Sequence, residues 1–583
     1  MPVWVVAALA AVAGGAIGAA IAARRATTSP ERARPVIATI TAPPDHELRP
    51  DDSQELTPDG SRLAFVAADA RGVTAIWVRE LDEHAATRID GTEGARGPFW
   101  SPDGTSLGYF ADGQLKVADL RSGTRRTLCP ATRPGGGAWS ASGIIVYSPD
   151  FLSVPLHKVS AAGGPCTRLA MRAPEGLDHR RPSALPDGRH VLFSSFRTNT
   201  AMVVDLVTGE TREVRRPGNE AQFAPPHWLL FRDPAGTSTV HGPIYAQRLD
   251  LETMRPVGEA RVVLDRTRGI GGFFRFSATP RALVAIRPSD KPLSLLWVNR
   301  QSVATDSVIL PANAGPLVTA GNFGVSNDGR SVAFGGLGLW IYNRDRNVAT
   351  RVKAESAADQ GIIDPAWGPG DSLIAYGTVF RGALSLRLYD VARGRSDSLF
   401  ALQWRNVRAP DWSRDGKRIA FGLSAAETVA RDEIWIYSFA DRRAVRTFES
   451  ERSVTYPRWS PDGRWLAYVG SASGASEVYL RRADGTGAEV AVSTSGATFP
   501  RWRADGTQLY YRAPDGSVME VDVRLGDVAT LSRPRVAASR PPFNMTTRDL
   551  AVTRDGETFI AYGREEPAVF TLMLDWAAAL EGK

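Results

Sequence analysis

The chain has 583 residues, more than one ordinary domain, and its 43% hydrophobic and 23% charged content excludes wholesale disorder. A net charge of +7 is modest for this length, and no basic run is interleaved with aromatics, so no nucleic-acid partner is expected. Gly 55 and Pro 39 predict many turns, while Cys129 and Cys166 are too few for a disulfide framework or a cysteine metal cage. The two are expected as unpaired, half-buried thiols in non-equivalent positions of neighbouring repeats, with one bridge left open.

Residues 3–22, "VWVVAALAAVAGGAIGAAIA", are uncharged and match the roughly 20 residues that cross a bilayer. No Lys or Arg precedes them, so residues 1–25 are expected as a retained transmembrane anchor rather than a cleaved signal peptide. Gly14 and Gly18 form a small-xxx-small pair that would let two helices approach, or simply reflect composition. Arg24 and Arg25, taken alone, would keep the following chain in the cytoplasm. Residues 26–35 read as a polar linker.

From there one unit recurs every 40–50 residues or so, the spacing of four-stranded propeller blades. It is written "LTPDGSRLAFVA" (56–67), "WSPDGTSLGYFA" (100–111), "WSASGIIVYS" (139–148) and "ALPDGRHVLFS" (184–194). It wears down to "FAPPHWLLFRD" (223–233) and "FSATPRALVAI" (276–286). It then returns as "VSNDGRSVAFGG" (325–336), "WGPGDSLIAYG" (367–377), "WSRDGKRIAFG" (412–422), "WSPDGRWLAYVG" (459–470), "WRADGTQLYYRA" (502–513) and "VTRDGETFIAYG" (552–563). Pro suits the second position of a type I turn, Ser and Asp hydrogen-bond nearby backbone, and Gly takes the left-handed position. The strand after the turn is apolar on both faces, as in Leu466 and Tyr468 against Trp465, Ala467 and Val469, so it must be covered on both. A third strand ("AIWVREL", 75–81; "EIWIYSF", 433–439) and a short fourth ("TRID", 87–90; "TRLA", 167–170) complete each unit. Four strands per repeat is a β-propeller blade.

The fold expected is all-β: two tandem six-bladed propellers of four-stranded blades over 36–303 and 304–576, then a tail over 577–583. One large ring is the alternative. The last repeat ends in "VFTLMLDW" (569–576), and "VIATIT" (36–41) is an extra strand before the first. The stretch "LLWVNR" (295–300) is assigned to the first ring. Residues 36–41 should complete its sixth blade and 307–310 the final blade of the second, removing free sheet edges.

Propeller sites gather where segments entering the innermost strands converge, so residues just before each turn are the site candidates. These are Arg96, His179, Arg180, Arg181, Glu220 and Arg275 in the first half, and Asn322, Asp364, Arg408, Tyr456 and Arg501 in the second. They read either as a cationic funnel for a small anionic ligand or a partner's carboxylate, or as groups solvated or paired across the channel. No Gly-rich loop with an H-R-D loop and D-F-G, no G-x-S-x-G and no H-E-x-x-H occurs. The adjacent Asp-Gly pairs lack the run of ligands a calcium loop needs and read as turn formers. No catalytic residue, metal or cofactor is expected.

The "SPDGxxLAF" repeats resemble the WD40-like PD40 repeats of the TolB-type propeller superfamily from residue 36 to 576. "HRRPSALPDGRHVLF" (179–193), "LLWVNRQ" (295–301) and "LDWAAALEGK" (574–583) resemble the extracytoplasmic region of bacterial serine/threonine receptor kinases, whose kinase domain precedes the membrane helix. The resemblance implies propellers in the periplasm on a single-pass anchor in the cytoplasmic membrane, against the hint of Arg24 and Arg25. The function expected is a non-catalytic sensor or scaffold that binds a protein or peptide partner. The alternatives are the sensor of a kinase encoded elsewhere, or a propeller-type lyase or glycosidase.

Overall fold

The computed structural model describes residues 35–49, 54–69, 72–132, 134–150, 155–172, 179–195, 198–232, 241–268, 276–286, 293–311, 323–336, 338–352, 362–380, 383–403, 407–423, 432–448, 450, 452–471, 476–543, 550–563 and 569–581. The expected membrane anchor over 1–25 lies outside the described residues. Among these residues the one helix is Ala578–Glu581, and the strands form ten antiparallel sheets of four strands and two of five. The architecture is all-β and consistent with two propellers.

The turn motif folds as its residues dictate. In Thr57-Pro58-Asp59-Gly60 the Gly60 N–H donates to the Thr57 carbonyl at 2.8 Å, and Gly60 has φ +73. The Thr57 hydroxyl donates to Asp59 at 2.6 Å and accepts the Arg62 N–H at 2.9 Å, so one hydroxyl pins both sides of the hairpin. Ser101, Ser326, Ser413, Ser460 and Thr553 repeat this, each donating at 2.6 Å to the Asp two residues on.

The strand after the turn is buried on both faces in every sheet where this can be seen in full; Trp465, Leu466, Ala467, Tyr468 and Val469 all have 4% exposure or less. The cover comes from neighbouring sheets. The inner strands Gln54–Leu56, Arg96–Trp100, Gly136–Trp139, Arg180–Ala184, Asn219–Ala224 and Phe276–Ala278 touch in that order, and the sixth returns to the first. In the second half the inner strands beginning at Phe323, Ile362, Val407, Val454, Thr498 and Ala551 run in the same succession. Its last and first sheets share a core in which Phe323 packs edge-on against Tyr562 at 5.4 Å.

The tryptophan before the turn ties sheet to sheet. Trp100 Nε1–H donates to the Glu55 carbonyl at 3.0 Å, Trp367 to Gly324 at 3.1 Å, Trp412 to Ala366 at 3.1 Å and Trp502 to Arg458 at 3.2 Å. In each case the acceptor lies on the preceding sheet's inner strand. The large ring covers the neighbour while its one polar atom is satisfied.

The last sheet of each half departs from the expected pairing. Val36–Ile40 does lie outermost in the sixth sheet, but it pairs with Phe570–Leu574, which pairs in turn with Ala282–Ile286. Ser294–Asn299 leaves the first half and pairs with Thr558–Tyr562 in the twelfth sheet, with Ala304–Ile309 outermost. The two halves therefore exchange third strands, and 295–300 and 569–576 stand in the opposite halves from those expected. Both segments are short alternating apolar strands of similar length, so local pattern does not tell their slots apart.

The cysteines are also corrected. Cys129, in the outer strand Arg125–Pro130, is bonded to Cys166, just before the outer strand Thr167–Arg168 of the next sheet, with Cα atoms 5.9 Å apart. Positions that differ along the repeat meet because the bond runs sideways between two neighbouring sheets.

Candidate functional site

The inner strands of the first six sheets enclose a cavity of about 410 Å³ that reaches along their length. Its shape follows from a recurring bulge. Ladder register slips by one residue between Arg96 and Phe99, Arg180 and Ser183, and Asn219 and Gln222. The residue at the slip is left-handed: Gly97 (φ 60), Arg181 (φ 52) and Glu220 (φ 57), with Gly136 (φ 113) in the third sheet. Such a bulge re-aims the side chains beside it. At the other end of the same strands the turn residues Pro58, Pro102, Ala141, Pro186 and Pro225 line the cavity.

Of the expected residues, Arg181 and Glu220 line this cavity. Arg181 Nη1 lies 2.5 Å from Glu220 Oε2, joining the fourth and fifth sheets, and Glu220 is 2% exposed. Arg232 is also buried, and burial pulls its pKa down to about 10 against the opposing charge of Glu220. His179 is buried with its ring 5.2 Å from Phe193. Arg180 is half-buried at the head of its strand, and Arg96 is exposed beside Gly97. Arg275 lies outside the described residues.

In the second half Asn322 also lies outside the described residues. Asp364 is buried, left-handed (φ 53), and its Oδ2 accepts the Ala409 N–H at 2.8 Å. Tyr456 (φ 54) packs edge-on against Phe499 (φ 55) at 5.1 Å. Arg408 is half-buried where its ladder slips, and Arg501 Nη1 donates to the Pro500 carbonyl at 2.9 Å. The structure adds two neighbours that the sequence did not single out. Asp411 Oδ2 accepts the Trp459 N–H at 2.8 Å, and the buried Arg458 donates to the Ala409 and Pro457 carbonyls at 3.0 and 2.8 Å. Burial pushes the Asp411 carboxyl up against the pull of Arg458; burial likewise lowers Arg458, opposed by Asp411 and Asp364. These polar groups hold one inner strand to the next.

Sequence reasoning also missed Glu55 and Gln222, which line the first cavity. Gln222 Nε2 donates to Glu55 Oε1 at 3.2 Å, a strut between the fifth and first sheets that passes over the sixth. The signal was present: both stand two residues before the first turn position, where Phe99, Ala138 and Ser183 also reach the cavity. Among the described residues no three His, Cys, Asp or Glu side chains cluster as metal ligands.

Residues 346–544 match the family model described as PD40, TolB beta propeller domain. The Tol-Pal system protein TolB of Anaeromyxobacter dehalogenans (strain 2CP-C) is 31% identical over 172 residues, covering 27% of this chain and 38% of that protein. The uncharacterized peptidase YuxL of Bacillus subtilis (strain 168) is 33% identical over 84 residues, 14% of this chain and 13% of that one. This chain thus spans 38% of the length of the TolB relative it matches. Among solved structures, TolB from Acinetobacter baumannii aligns with 15% identity and a TM-score of 0.31 over 60% of this chain and 78% of that one. Residues 346–544 thus carry the match to PD40 repeats of the TolB β-propeller type, and the similarity to TolB is distant and partial.

Proposed function

From the premise of TolB-type repeats, we propose that the chain folds as two six-bladed propellers and acts as a non-catalytic binding module that receives a peptide segment of a partner protein. The observation that carries this is the 410 Å³ channel of the first half, walled by Phe99, Trp139 and Phe223 and the turn prolines, with a few fixed polar groups. A mainly apolar concavity with few convergent polar groups is the usual form of a binding site. Relatives named for the Tol-Pal system favour a protein partner over a small substrate. An extracytoplasmic location, on a membrane anchor formed by residues 1–25, is part of the same proposal. The Cys129–Cys166 bond supports it, because such bonds persist in oxidising compartments.

The test is selection of a randomised heptapeptide phage library on the purified chain, followed by equilibrium binding of the selected peptides. Gln222→Trp and Ala138→Phe each place an added side chain in the channel, and each is checked for an unchanged melting transition. Binding should fall at least tenfold or so in both, about 1.4 kcal/mol or more. Undiminished binding to both folded variants places the site elsewhere and refutes the reading.

A further inference from the structure

The sequence suggests a cationic funnel, yet the positive groups in the first channel are already engaged. Arg181 is held on Glu220 at 2.5 Å, and the charge of the buried Arg232 also interacts with Glu220. The acceptors are arranged differently. Gln222 spends its amide N–H on Glu55 at 3.2 Å, which leaves its Oε1, buried, without a hydrogen-bond partner. That oxygen is sealed from the channel, so what the channel presents is charge: its lining carries Glu55, Arg181 and Glu220, one net negative charge once Arg181 and Glu220 pair. Beside Gln222 sits a carboxylate, Glu55, which an incoming anion would have to approach in a confined site of low dielectric. The walls around this strut are aromatic and proline surface.

We propose that the channel takes a basic, apolar-flanked peptide segment, whose lysine or arginine side chain approaches the Glu55 carboxylate while the flanking residues rest on the aromatic and proline walls. This rests on the reading of the channel as a peptide-binding site and reverses the charge the sequence suggests for its ligand. Arg181 then acts as the partner of Glu220 rather than as an anion receptor.

The test scores the same heptapeptide selection by charge, counting only clones whose binding is lost in Gln222→Trp and Ala138→Phe. These clones should be enriched in Lys and Arg over Asp and Glu. Replacing the basic residue of a selected peptide by norleucine should weaken binding about tenfold, as expected for loss of a charge-assisted hydrogen bond. Glu55→Gln should remove most of that tenfold difference between the selected peptide and its norleucine version. Channel-dependent clones rich in Asp and Glu, or a norleucine peptide that binds the wild-type chain equally well, overturn the charge assignment and leave the channel reading standing. If no clone depends on the channel, the channel reading itself falls and takes this inference with it.

Discussion

Removing residues 569–583 should damage the first half of the chain, although they are its last residues in sequence. Phe570–Leu574 lies between Val36–Ile40 and Ala282–Ile286, with five residue pairs on each side. Phe570, Leu572, Met573, Trp576 and Leu580 are each at most 9% exposed, and Trp576 Nε1–H donates to the Thr279 carbonyl at 2.7 Å. Five such side chains at about 1.5–3 kcal/mol each represent about 8–15 kcal/mol of burial, offset in part by the ordering of the segment. That burial is comparable to a domain's whole net stability of about 5–15 kcal/mol. Hydrogen exchange on a chain ending at residue 568 should show amides of 36–40 and 282–286 losing protection. Those of 294–299 and 558–562, paired with each other in the twelfth sheet, should keep theirs. A synthetic peptide of residues 566–583 should rebind and restore the pattern; a net gain of about 8 kcal/mol corresponds to a Kd near about 1 μM. Lost protection at 551–562 with 36–40 intact would refute the strand exchange.

Reduction, or Cys129→Ala with Cys166→Ala, should lower stability by up to about 4 kcal/mol, the loop-closure figure for the 37-residue separation, read by urea denaturation. Trp412→Phe exchanges the indole for a smaller phenyl ring and strands the Ala366 carbonyl, and should cost at least about 1 kcal/mol in the same assay. The turn aspartates predict acid lability. The Thr57 hydroxyl and the Ser61 N–H hold Asp59 down at about 2, and hydroxyls of Ser101, Ser326, Ser413 and Thr553 lower Asp103, Asp328, Asp415 and Asp555. A carboxyl depressed in the fold contributes stability above its unfolded value and loses it as pH falls through the folded one. The melting temperature should therefore drop from pH 4 toward pH 2, and Asp59→Asn should flatten part of the drop; a melting temperature constant over that range contradicts the assignment.

What the sequence made legible is what lies close along the chain. Ser460, Pro461, Asp462 and Gly463 are four consecutive residues whose hydrogen bonds stay within the hairpin, so their roles follow from their order. The double-sided burial of Trp465 to Val469 follows from composition alone. What stayed hidden depends on which sheet stands beside which. The strands 294–299 and 570–574 carry interchangeable patterns, and only the crossing of the chain between halves assigns them. Cys129 and Cys166 meet across a sheet boundary, and Gln222 reaches Glu55 over an intervening sheet. Repetition in sequence specifies the unit; lateral contacts between unlike units are where the repeat is broken, and there a local pattern is silent.

The same distinction explains why candidate site residues sit at the bulges. A left-handed backbone costs a non-glycine residue roughly 1–2 kcal/mol, and Gly97 and Gly136 avoid it. Arg181, Glu220, Asp364, Ala409, Tyr456 and Phe499 bear it. Where the side chain is polar, an inter-sheet bond offsets the cost, as in Arg181 with Glu220 and Asp364 with the Ala409 N–H. Where it is aromatic, packing does so, as in Tyr456 on Phe499. The bulge side chains are therefore largely used in holding neighbouring sheets together. In the first half the freedom to choose a ligand passes to channel-lining positions two residues before the turn, whereas in the second half the same positions include Asp411 and Arg458, which bond to the neighbouring inner strands. Five of the six in the first half line the channel, Glu55, Phe99, Ala138, Ser183 and Gln222, a set with one carboxylate and no cation; the sixth, Ser277, instead accepts the Leu56 N–H. Selectivity in this chain should accordingly change with substitutions there and be nearly indifferent to conservative exchange at the bulges.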